Sequence, residues 1–284
     1  MNAINIETVT VESNGMRLVG DRRRTDSTTG EPIVLLHGGG QTRHSWDRSA
    51  HALAARGRDV YTFDLRGHGD SSWADDYGIG GFVDDLRSVI RAIDAAPVLI
   101  GASLGGITSL CVAGEFPGAA SALVMVDVVV DVEPAGIDRI KAFMSDHIDG
   151  FDTLEDVADA VAAYTPGRAR TRNLDSLRKN VRLRDDGRWY WHWDPAFIIG
   201  PADETRTVTD PTRLRAAARR VDVPTLIVRG GKSDVVSDAG IASMKALVPH
   251  ADVADVAAAG HMVAGDDNQV FEASIDEFLG RHGL

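Results

Sequence analysis

Short runs of apolar residues alternate along the chain with longer segments in which apolar residues recur at helical spacing. Four consecutive apolar residues occupy Ile33–Leu36, and the following segment 43–56 carries Trp46, Ala50 and Leu53 on one helical face. A continuous apolar run is typical of a strand buried on both faces of a parallel sheet, and a period of 3.6 indicates an amphipathic helix. This first pair therefore predicts a strand followed by a helix.

The same alternation continues to the end of the chain. Further strands are predicted at 60–63, 98–100, Ala122–Val126 and 225–228, and further helices at Ile79–Ile93, 104–116, 239–247 and 270–279. Ahead of them, Asn14 and Gly15 separate two β-rich runs and suit the positive φ angles of a type I′ hairpin turn. This order predicts an α/β fold, with a mostly parallel sheet flanked by helices and an N-terminal hairpin.

One stretch breaks the alternation. Residues 128–212 contain no clear buried-strand run and are predicted to be helical or irregular. Pro134 and Pro211 lie near its two ends, where a chain that leaves and rejoins a sheet needs turn residues. We interpret 128–212 as an inserted, mainly helical cap on a core domain formed by 1–127 and 213–284.

Composition and charge narrow the class of protein. The 284 residues are 44% hydrophobic, and 30 Lys and Arg stand against 42 Asp and Glu, for a net charge of -12. This charge disfavours nucleic acid and anionic membranes as partners. The single cysteine, Cys111, excludes an intramolecular disulfide and suits the cytoplasm. Neither a signal peptide nor a membrane-spanning run of 18 apolar residues is recognised, so we expect a cytoplasmic protein.

A G-x-S-x-G pentapeptide lies where a strand is predicted to turn into a helix. It begins at Gly101 and reads GASLG, between the run 98–100 and the helix 104–116. A serine on such a sharp turn presents its hydroxyl, and the turn needs small residues two positions before and after it. The pattern is short and arises by chance in some chains, but its position favours Ser103 as a catalytic nucleophile over a plain turn.

A glycine-rich loop follows the strand at Ile33–Leu36. The tetrapeptide HGGG that starts at His37 offers backbone N–H groups that a substrate oxygen can approach, and each such donor lowers a barrier by about 3 kcal/mol. A phosphate cradle is the alternative, but neither G-x-G-x-x-G with a downstream acid nor G-x-x-x-x-G-K is completed here. We expect the N–H groups of Gly39 and Leu104 to form an oxyanion hole.

A serine nucleophile needs a base, and the base needs an orienting acid, in the chain order Ser, acid, His. His261 lies in a predicted loop before the last helix and is the one histidine of nine at such a position. Asp234 lies just past the strand 225–228, in a turn with two glycines, and Asp127 closes the strand Ala122–Val126. We prefer Asp234 as the acid and keep Asp127 as the alternative.

Together, these motifs resemble the α/β-hydrolase fold family over almost the whole chain. The resemblance rests on the hairpin, the glycine loop at His37, the segment DLRGHGDS that begins at Asp64, the serine turn, the cap, Asp234 and His261. It implies a catalytic triad of Ser103, Asp234 and His261 beneath a cap, with no metal and no organic cofactor. Serine at the turn disfavours the epoxide hydrolases and haloalkane dehalogenases of similar architecture, which use aspartate there.

The motifs do not separate the remaining relatives. We expect a carboxylesterase or lactonase for a small, largely apolar molecule. The alternatives are a meta-cleavage C–C hydrolase, a cofactor-free perhydrolase and, in another class, a hydrolase-fold ligand receptor. Trp189, Trp191 and Trp193 either line an apolar substrate pocket or pack the cap onto the core. The expected partner is a small-molecule substrate, and a homodimer is left open.

Overall fold

A central sheet organises the computed structural model, which describes residues 3–165, 170–199, 209–256 and 268–284. The strands are β1 (Asn5–Ser13), β2 (Met16–Arg24), β3 (Ile33–Leu36), β4 (Val60–Phe63), β5 (Val98–Ala102), β6 (Ala122–Val126), β7 (Val181–Leu183), β8 (Trp189–Trp191), β9 (Thr225–Gly230) and β10 (Asp252–Val256). Eight of them form one sheet in the order β1-β2-β4-β3-β5-β6-β9-β10. The pairs β1/β2 and β2/β4 are antiparallel and the rest are parallel, which confirms the predicted fold class.

Helices cover both faces of this sheet. The α-helices are α1 (Asp47–Ala55), α2 (Ile79–Ile93), α3 (Leu104–Glu115), α4 (Pro134–Ser145), α5 (Leu154–Tyr164), α6 (Ala196–Ile199), α7 (Pro211–Ala218), α8 (Asp238–Leu247) and α9 (Asn268–His282). Short 3₁₀ helices occupy Arg43–Trp46 and Leu174–Lys179. Helices α1 and α9 share one apolar cluster, and α2, α3, α7 and α8 share the other. Among the residues described, no helix combines the length and apolar character needed to cross a membrane.

The central strands are apolar throughout because both of their faces are covered. In β5, Val98 and Ile100 belong to the cluster with α1 and α9, and Leu99 between them belongs to the opposite cluster. Successive side chains of a strand point to opposite faces, so a strand between two helical layers has no polar face. This explains why unbroken apolar runs located β3, β5 and β6 in the sequence.

The two edges of the sheet differ in how well the sequence predicted them. The β1/β2 hairpin is confirmed, with Asn14 at φ 48° and Gly15 at φ 80° in its turn. No strand is predicted at β10, whose sequence, DVADV, has two charged residues in five. Because β10 is an edge strand paired with β9 alone in the described sheet, four of its five residues stay at least partly exposed, and it lacks an apolar run.

The described residues of the segment between β6 and α7 add no strand to the main sheet and pack around an apolar cluster of their own. The members of that cluster include Met144, Phe151, Val157, Trp191 and Trp193. The expectation that this segment lacks strands was wrong, because β7 and β8 pair as an antiparallel hairpin. Each strand has three residues, with too few buried positions to leave a sequence pattern. The boundaries at 128 and 212 stay a prediction.

One side of this segment, for which we keep the name cap, is tied to the rest of the chain through the loop after β4. The N–H of Gly69 donates to the carbonyl of His192 at 2.7 Å, and the N–H of Asp194 donates to the carbonyl of Gly67 at 2.7 Å. The hydroxyl of Tyr77 donates to the Asp194 carboxylate at 2.6 Å. These bonds join backbone to backbone or are buried, so they fix the hairpin end of the cap on the core.

Candidate active site

Ser103 lies on the turn between β5 and α3 in a conformation that serine rarely adopts, with φ 46° and ψ -112°. Its N–H donates to the carbonyl of Val126 at 3.1 Å, and its carbonyl accepts from the N–H of Ile107 at 2.9 Å. The neighbouring strand and the helix therefore hold the strained residue from both sides. Such a conformation persists only where surrounding structure over-determines it, and it is concentrated at functional sites.

Three glycines make this turn sterically feasible. A Cβ added at Gly101 would lie 2.3 Å from the carbonyl carbon of Gly105, and one added at Gly105 would lie 2.5 Å from the carbonyl oxygen of Leu36. A Cβ at Gly106 would lie 2.5 Å from the Val128 side chain. The strand, the turn and the helix approach each other too closely for any side chain at these positions. The pentapeptide thus follows from backbone packing around the serine.

The glycine loop after β3 forms a tight turn beside the serine. The N–H of Gln41 donates to the carbonyl of Gly38 at 3.2 Å, and Gly40 has φ +73°, as at the third position of a type II turn. A Cβ added at Gly38 would meet the Ser103 Cβ at 3.4 Å, which is ordinary contact. The first glycine of the loop therefore lies directly against the candidate nucleophile.

The loop is also bonded to the start of α3. The N–H of Gly105 donates to the carbonyl of His37 at 3.2 Å. Leu104 is the first residue of α3, and the N–H groups of a first turn have no partner inside their helix. The structure thus brings Gly39 and Leu104 to the same edge of the sheet as Ser103, and their role as oxyanion donors stays a prediction.

Two buried histidines, His37 and His68, flank this loop. His37 has its Nδ1 at 2.8 Å from the carbonyl oxygen of Gly38, and its Nε2 accepts the N–H of Leu65 at 3.0 Å. Burial lowers the pKa of His37 to about 4. Because a carbonyl oxygen only accepts, Nδ1 carries the proton and the ring is neutral.

His68, in the loop after β4, makes the same pattern of bonds. Its Nδ1 lies 2.9 Å from the carbonyl oxygen of Arg66, and its Nε2 accepts the N–H of Gly40 at 3.1 Å. Burial, assisted by the neighbouring His37, lowers the pKa of His68 to about 3. The two ring centroids lie 5.1 Å apart. The partners of the two Nε2 atoms lie 28 residues away in both cases, so no local pattern in the sequence indicates these two bonds.

The two candidate acids have contrasting surroundings, and His261, the predicted base, lies outside the described residues. Asp127 is 1% exposed, and its carboxylate accepts the N–H of Gly230 at 3.0 Å and the hydroxyl of Ser233 at 2.6 Å. The side chain of Asp234 is 38% exposed and pairs with Arg139 of α4 at 2.8 Å. Asp234 as the acid and Asp127 as the alternative both stay predictions.

Cap side chains cover the glycine loop. A Cβ added at Gly39 would lie 3.4 Å from the ring of Phe197 in α6, and one at Gly40 would lie 3.1 Å from the methyl carbon of Met144 in α4. The Phe197 ring contacts His68 edge to face, with centroids 5.1 Å apart. The space above the predicted oxyanion donor is therefore roofed by apolar groups.

The three tryptophans proposed for substrate contact lie mainly inside the cap. Trp191 and Trp193 stack with centroids 4.8 Å apart and are 7% and 3% exposed. Trp189 packs against the guanidinium of Arg178, beside a surface cleft of about 630 Å³ whose other walls are mostly polar. These positions give all three a packing role, and their contact with substrate stays a prediction.

The described residues bring Asp21, His44 and Asp47 close enough together to hold a metal ion. Cations of the protein already occupy this cluster, however. Arg43 bonds Asp21 at 3.1 Å, and Lys179 bonds Asp47 at 2.5 Å. A divalent ion would have to displace these partners and would face their charge. The cluster is better explained as an ion-pair network between α1, β2 and the cap.

Comparisons with known proteins agree with this fold. A model of the alpha/beta hydrolase fold matches residues 31–267. The chain is 30% identical over 254 residues to Esterase Rv0045c of Mycobacterium tuberculosis, covering 82% of this chain and 78% of that protein. It is 28% identical over 261 residues to the sn-1-specific diacylglycerol lipase ABHD11 of Mus musculus, covering 87% and 80%.

A solved structure extends the agreement in fold to almost the whole chain. The crystal structure of E-2-(acetamidomethylene)succinate hydrolase matches with a TM-score of 0.83 at 23% identity, covering 97% of this chain and 100% of that one. At this identity the likeness shows the fold alone. The curated relatives are an esterase and a lipase, and they support a hydrolase activity. From the matched family model and from these relatives, the chain belongs to the α/β hydrolase fold family.

Proposed function

We propose that this protein hydrolyses a carboxylic ester or lactone of a small, largely apolar molecule through an acyl-enzyme on Ser103. The observation that carries the proposal is the strained serine, held at φ 46° on the strand-to-helix turn and placed against a loop of three glycines. Packing does not require a strained serine here, since a glycine at position 103 would adopt the same backbone conformation at lower energy. A serine retained at this position supports a role for its hydroxyl.

In this proposal the Ser103 oxygen attacks the substrate carbonyl carbon while His261 takes the serine proton. The carbonyl oxygen becomes an oxyanion, which the N–H groups of Gly39 and Leu104 stabilise. The tetrahedral intermediate collapses, the C–O bond breaks, and the imidazolium gives its proton to the leaving alcohol. Water then attacks the acyl-enzyme in the same way, and the carboxylic acid is released.

For the orienting acid, the surroundings support Asp127 over Asp234, against our preference from the sequence. An acid that stabilises an imidazolium works best when it is buried and held by further donors, so that it does not turn into solvent. Asp127 is buried and held by Gly230 and Ser233, whereas the Asp234 carboxylate is already engaged by Arg139 at the surface. We therefore propose Asp127 as the partner of His261.

The preference for an apolar substrate rests on the apolar cap residues that cover the glycine loop. Phe197 and Met144 approach the glycine loop from the cap and offer a ring and a thioether to whatever group lies above Gly39. Methionine adapts its shape to irregular apolar groups, and an aromatic ring excludes water. Both relatives cited above act on esters by name, an esterase and a diacylglycerol lipase, which supports the same bond type here.

The test is substrate hydrolysis by wild type and Ser103→Ala, with Ser274→Ala on α9 as a remote serine control. We expect Ser103→Ala to lose at least about 10⁴-fold in kcat on short p-nitrophenyl esters. A fluorophosphonate should label wild type and the control, and peptide mass spectrometry should place the adduct on Ser103. Unchanged hydrolysis by Ser103→Ala would overturn the proposal.

A wider substrate panel separates the alternatives. Esters, lactones and vinylogous diketo acids would be offered at equal concentration to the wild-type protein. We expect turnover of esters or lactones with apolar acyl groups. Preference for the diketo acids would move the assignment to C–C hydrolysis. A stoichiometric burst with no steady state would favour a ligand receptor.

A further inference from the structure

The glycine loop carries no side chain of its own at three successive positions, so something else must hold its peptide groups in place. We infer that His37 and His68 are positioning residues that fix the two peptide groups on either side of Gly39, and thereby aim the oxyanion donor. This inference rests on the proposed function, because it takes the N–H of Gly39 as that donor.

His37 fixes the first of these peptide groups. The carbonyl of Gly38 and the N–H of Gly39 belong to one planar unit, and in a trans peptide they point in opposite directions. The Nδ1–H of His37 donates to that carbonyl at 2.8 Å. The direction of the Gly39 N–H is therefore set from the far side of its own peptide group, by His37 together with the N–H of Gln41, which donates to the same carbonyl at 3.2 Å.

The same bond also strengthens the donor. A carbonyl that accepts a hydrogen bond polarises its peptide group, and hydrogen bonds in such a chain reinforce one another. The second ring nitrogen of His37 accepts the N–H of Leu65 at 3.0 Å, at the end of β4. The ring thus spans from the sheet to the loop with one defined tautomer.

His68 fixes the second peptide group, which joins Gly39 to Gly40. Its Nε2 accepts the N–H of Gly40 at 3.1 Å. Type I and type II turns differ by a flip of this central peptide, and glycine in the third position permits either. A flip would turn the carbonyl of Gly39 toward the Nε2 lone pair, where two acceptors would repel. His68 therefore selects the orientation seen, with Gly40 at φ +73°.

Both rings are held in the neutral state, with the proton on Nδ1. They are 0% exposed, and burial disfavours the charged imidazolium, which would lose the Nε2 lone pair that each bond needs. Donors that are fixed before the reaction need no reorganisation when negative charge develops, and this is what makes an oxyanion hole effective. The two histidines supply that fixation to a segment that has no side chains.

The test compares removal of each bond with its partial restoration. His68→Leu removes the acceptor for Gly40, and His68→Gln keeps an acceptor near the Nε2 position. His37→Leu removes the donor to Gly38, and His37→Asn keeps a donor near Nδ1. We expect each leucine variant to lose about 10²-fold in kcat with KM changed less than threefold, and each amide variant to recover at least tenfold.

Leu53→Ala serves as the control for lost stability. Leu53 is 1% exposed in the apolar cluster on the other face of the sheet, away from the loop. Its truncation lowers stability without removing a bond to the glycines, so we expect its kcat at 25 °C to match wild type. A folded His68→Leu or His37→Leu that also keeps the wild-type kcat would overturn the inference.

A second measurement does not depend on activity or on the leucine variants folding. In ¹⁵N-labelled wild type, the imidazole shifts should show Nδ1 protonated and Nε2 unprotonated for both rings. Couplings across the hydrogen bonds should join Gly40 N to His68 Nε2, and Leu65 N to His37 Nε2. The opposite tautomer, or absence of the Gly40 coupling, would overturn the inference. Hydrolysis that survives Ser103→Ala would overturn the proposed function alone.

Discussion

The carboxyl ends of the central strands, where Ser103 lies, and the cap above them are held together in different ways. We call this end of the sheet the sheet edge. At the edge, the contacts that decide each position are made by backbone atoms, such as the Leu36 carbonyl against Gly105 and the Val126 carbonyl on the N–H of Ser103. In the cap, stacked rings such as Trp191 on Trp193 provide the packing, and ion pairs such as Arg139 with Asp234 lie at the surface.

This difference separates the reaction from the choice of substrate. Backbone contacts admit almost no substitution, since a single added carbon collides with main-chain atoms that cannot move aside. Packed side chains admit exchange as long as volume is preserved. The sheet edge therefore constrains the chemistry narrowly, and the cap is the part in which specificity can vary.

The largest effect should come from replacing the acid that orients His261, because one candidate lies at the sheet edge and the other lies against the cap. Asp127 belongs to the sheet edge, and Asp234 contacts the cap. We expect Asp127→Asn to lower kcat by about 10⁴-fold with the fold intact, because the imidazole loses its orientation, and Asp234→Asn to lower it by less than about tenfold. Steady-state kinetics on both variants check this. The reverse ranking would return the role to Asp234.

Acid should weaken the sheet edge before carboxylates titrate. The folded pKa values of His37 and His68 are lowered to about 4 and about 3, so between pH 6.5 and 4 the unfolded chain binds protons that the folded one does not. Stability should thus fall as pH drops through that window, by about 1.4 kcal/mol per pH unit for each histidine.

Urea unfolding at pH 7, 6 and 5 measures this slope. His192, whose pKa burial also lowers, faces His68, and Arg43 and Asp64 complete the charged surroundings of the pair. His68→Gln should reduce the slope by about one proton. A slope that is the same in His68→Gln would contradict burial of the neutral ring.

Two glycine substitutions compare the regions directly. Gly105→Ala meets the Leu36 carbonyl oxygen at 2.5 Å and should cost more than about 2 kcal/mol of unfolding free energy. Gly187→Ala, in the turn of the cap hairpin, meets nothing within 4 Å and is penalised only for φ +80°, about 1 kcal/mol. Denaturant titrations give both values. Equal losses would show that packing at the serine turn is looser than the contacts imply.

The smallest effect should come from Tyr77→Phe, which loosens the cap from the core. The substitution removes the hydroxyl that bonds Asp194 and the N–H of Ala74, at an expected loss of about 1 kcal/mol. We expect kcat to hold, KM to rise and proteolysis within the cap to accelerate. Unchanged proteolysis would mean that the backbone bonds of Gly67 and Gly69 hold the cap on their own.

The sequence was informative where structure depends on neighbours along the chain. Helix α2 begins and ends at the predicted residues, Ile79 and Ile93, because its apolar face repeats regularly over fifteen residues. The serine turn is recognisable because a side chain at any of its glycines would collide with neighbouring atoms. Strand β10 and the cap hairpin are not predicted, because most of their side chains are at least partly exposed and carry no periodic apolar signal.

The site was predictable only in part for a related reason. Nothing near Asp127 or Asp234 in the sequence tells which carboxylate is buried, since the donors to Asp127 come from residues 103 and 106 positions away. The Nε2 bonds of His37 and His68 likewise reach backbone groups 28 residues away, at Leu65 and Gly40. Every residue has a main-chain carbonyl, and every residue except proline has a main-chain N–H. A hydrogen bond to the main chain therefore does not constrain which residue type stands at the accepting or donating position.

The route of the chain through the cap has an evolutionary consequence. Strands β6 and β9 are neighbours in the sheet, and α7 packs against α3 so closely that a Cβ at Gly114 would lie 2.1 Å from the Ala217 carbonyl oxygen. Helix α7 thus completes the crossover between the two strands by itself. The detour ahead of it is one continuous stretch of sequence, and loop length is thermodynamically inexpensive to change. A lineage can therefore lengthen, shorten or exchange that stretch in a single recombination event and acquire a new substrate while the inherited machinery stays whole.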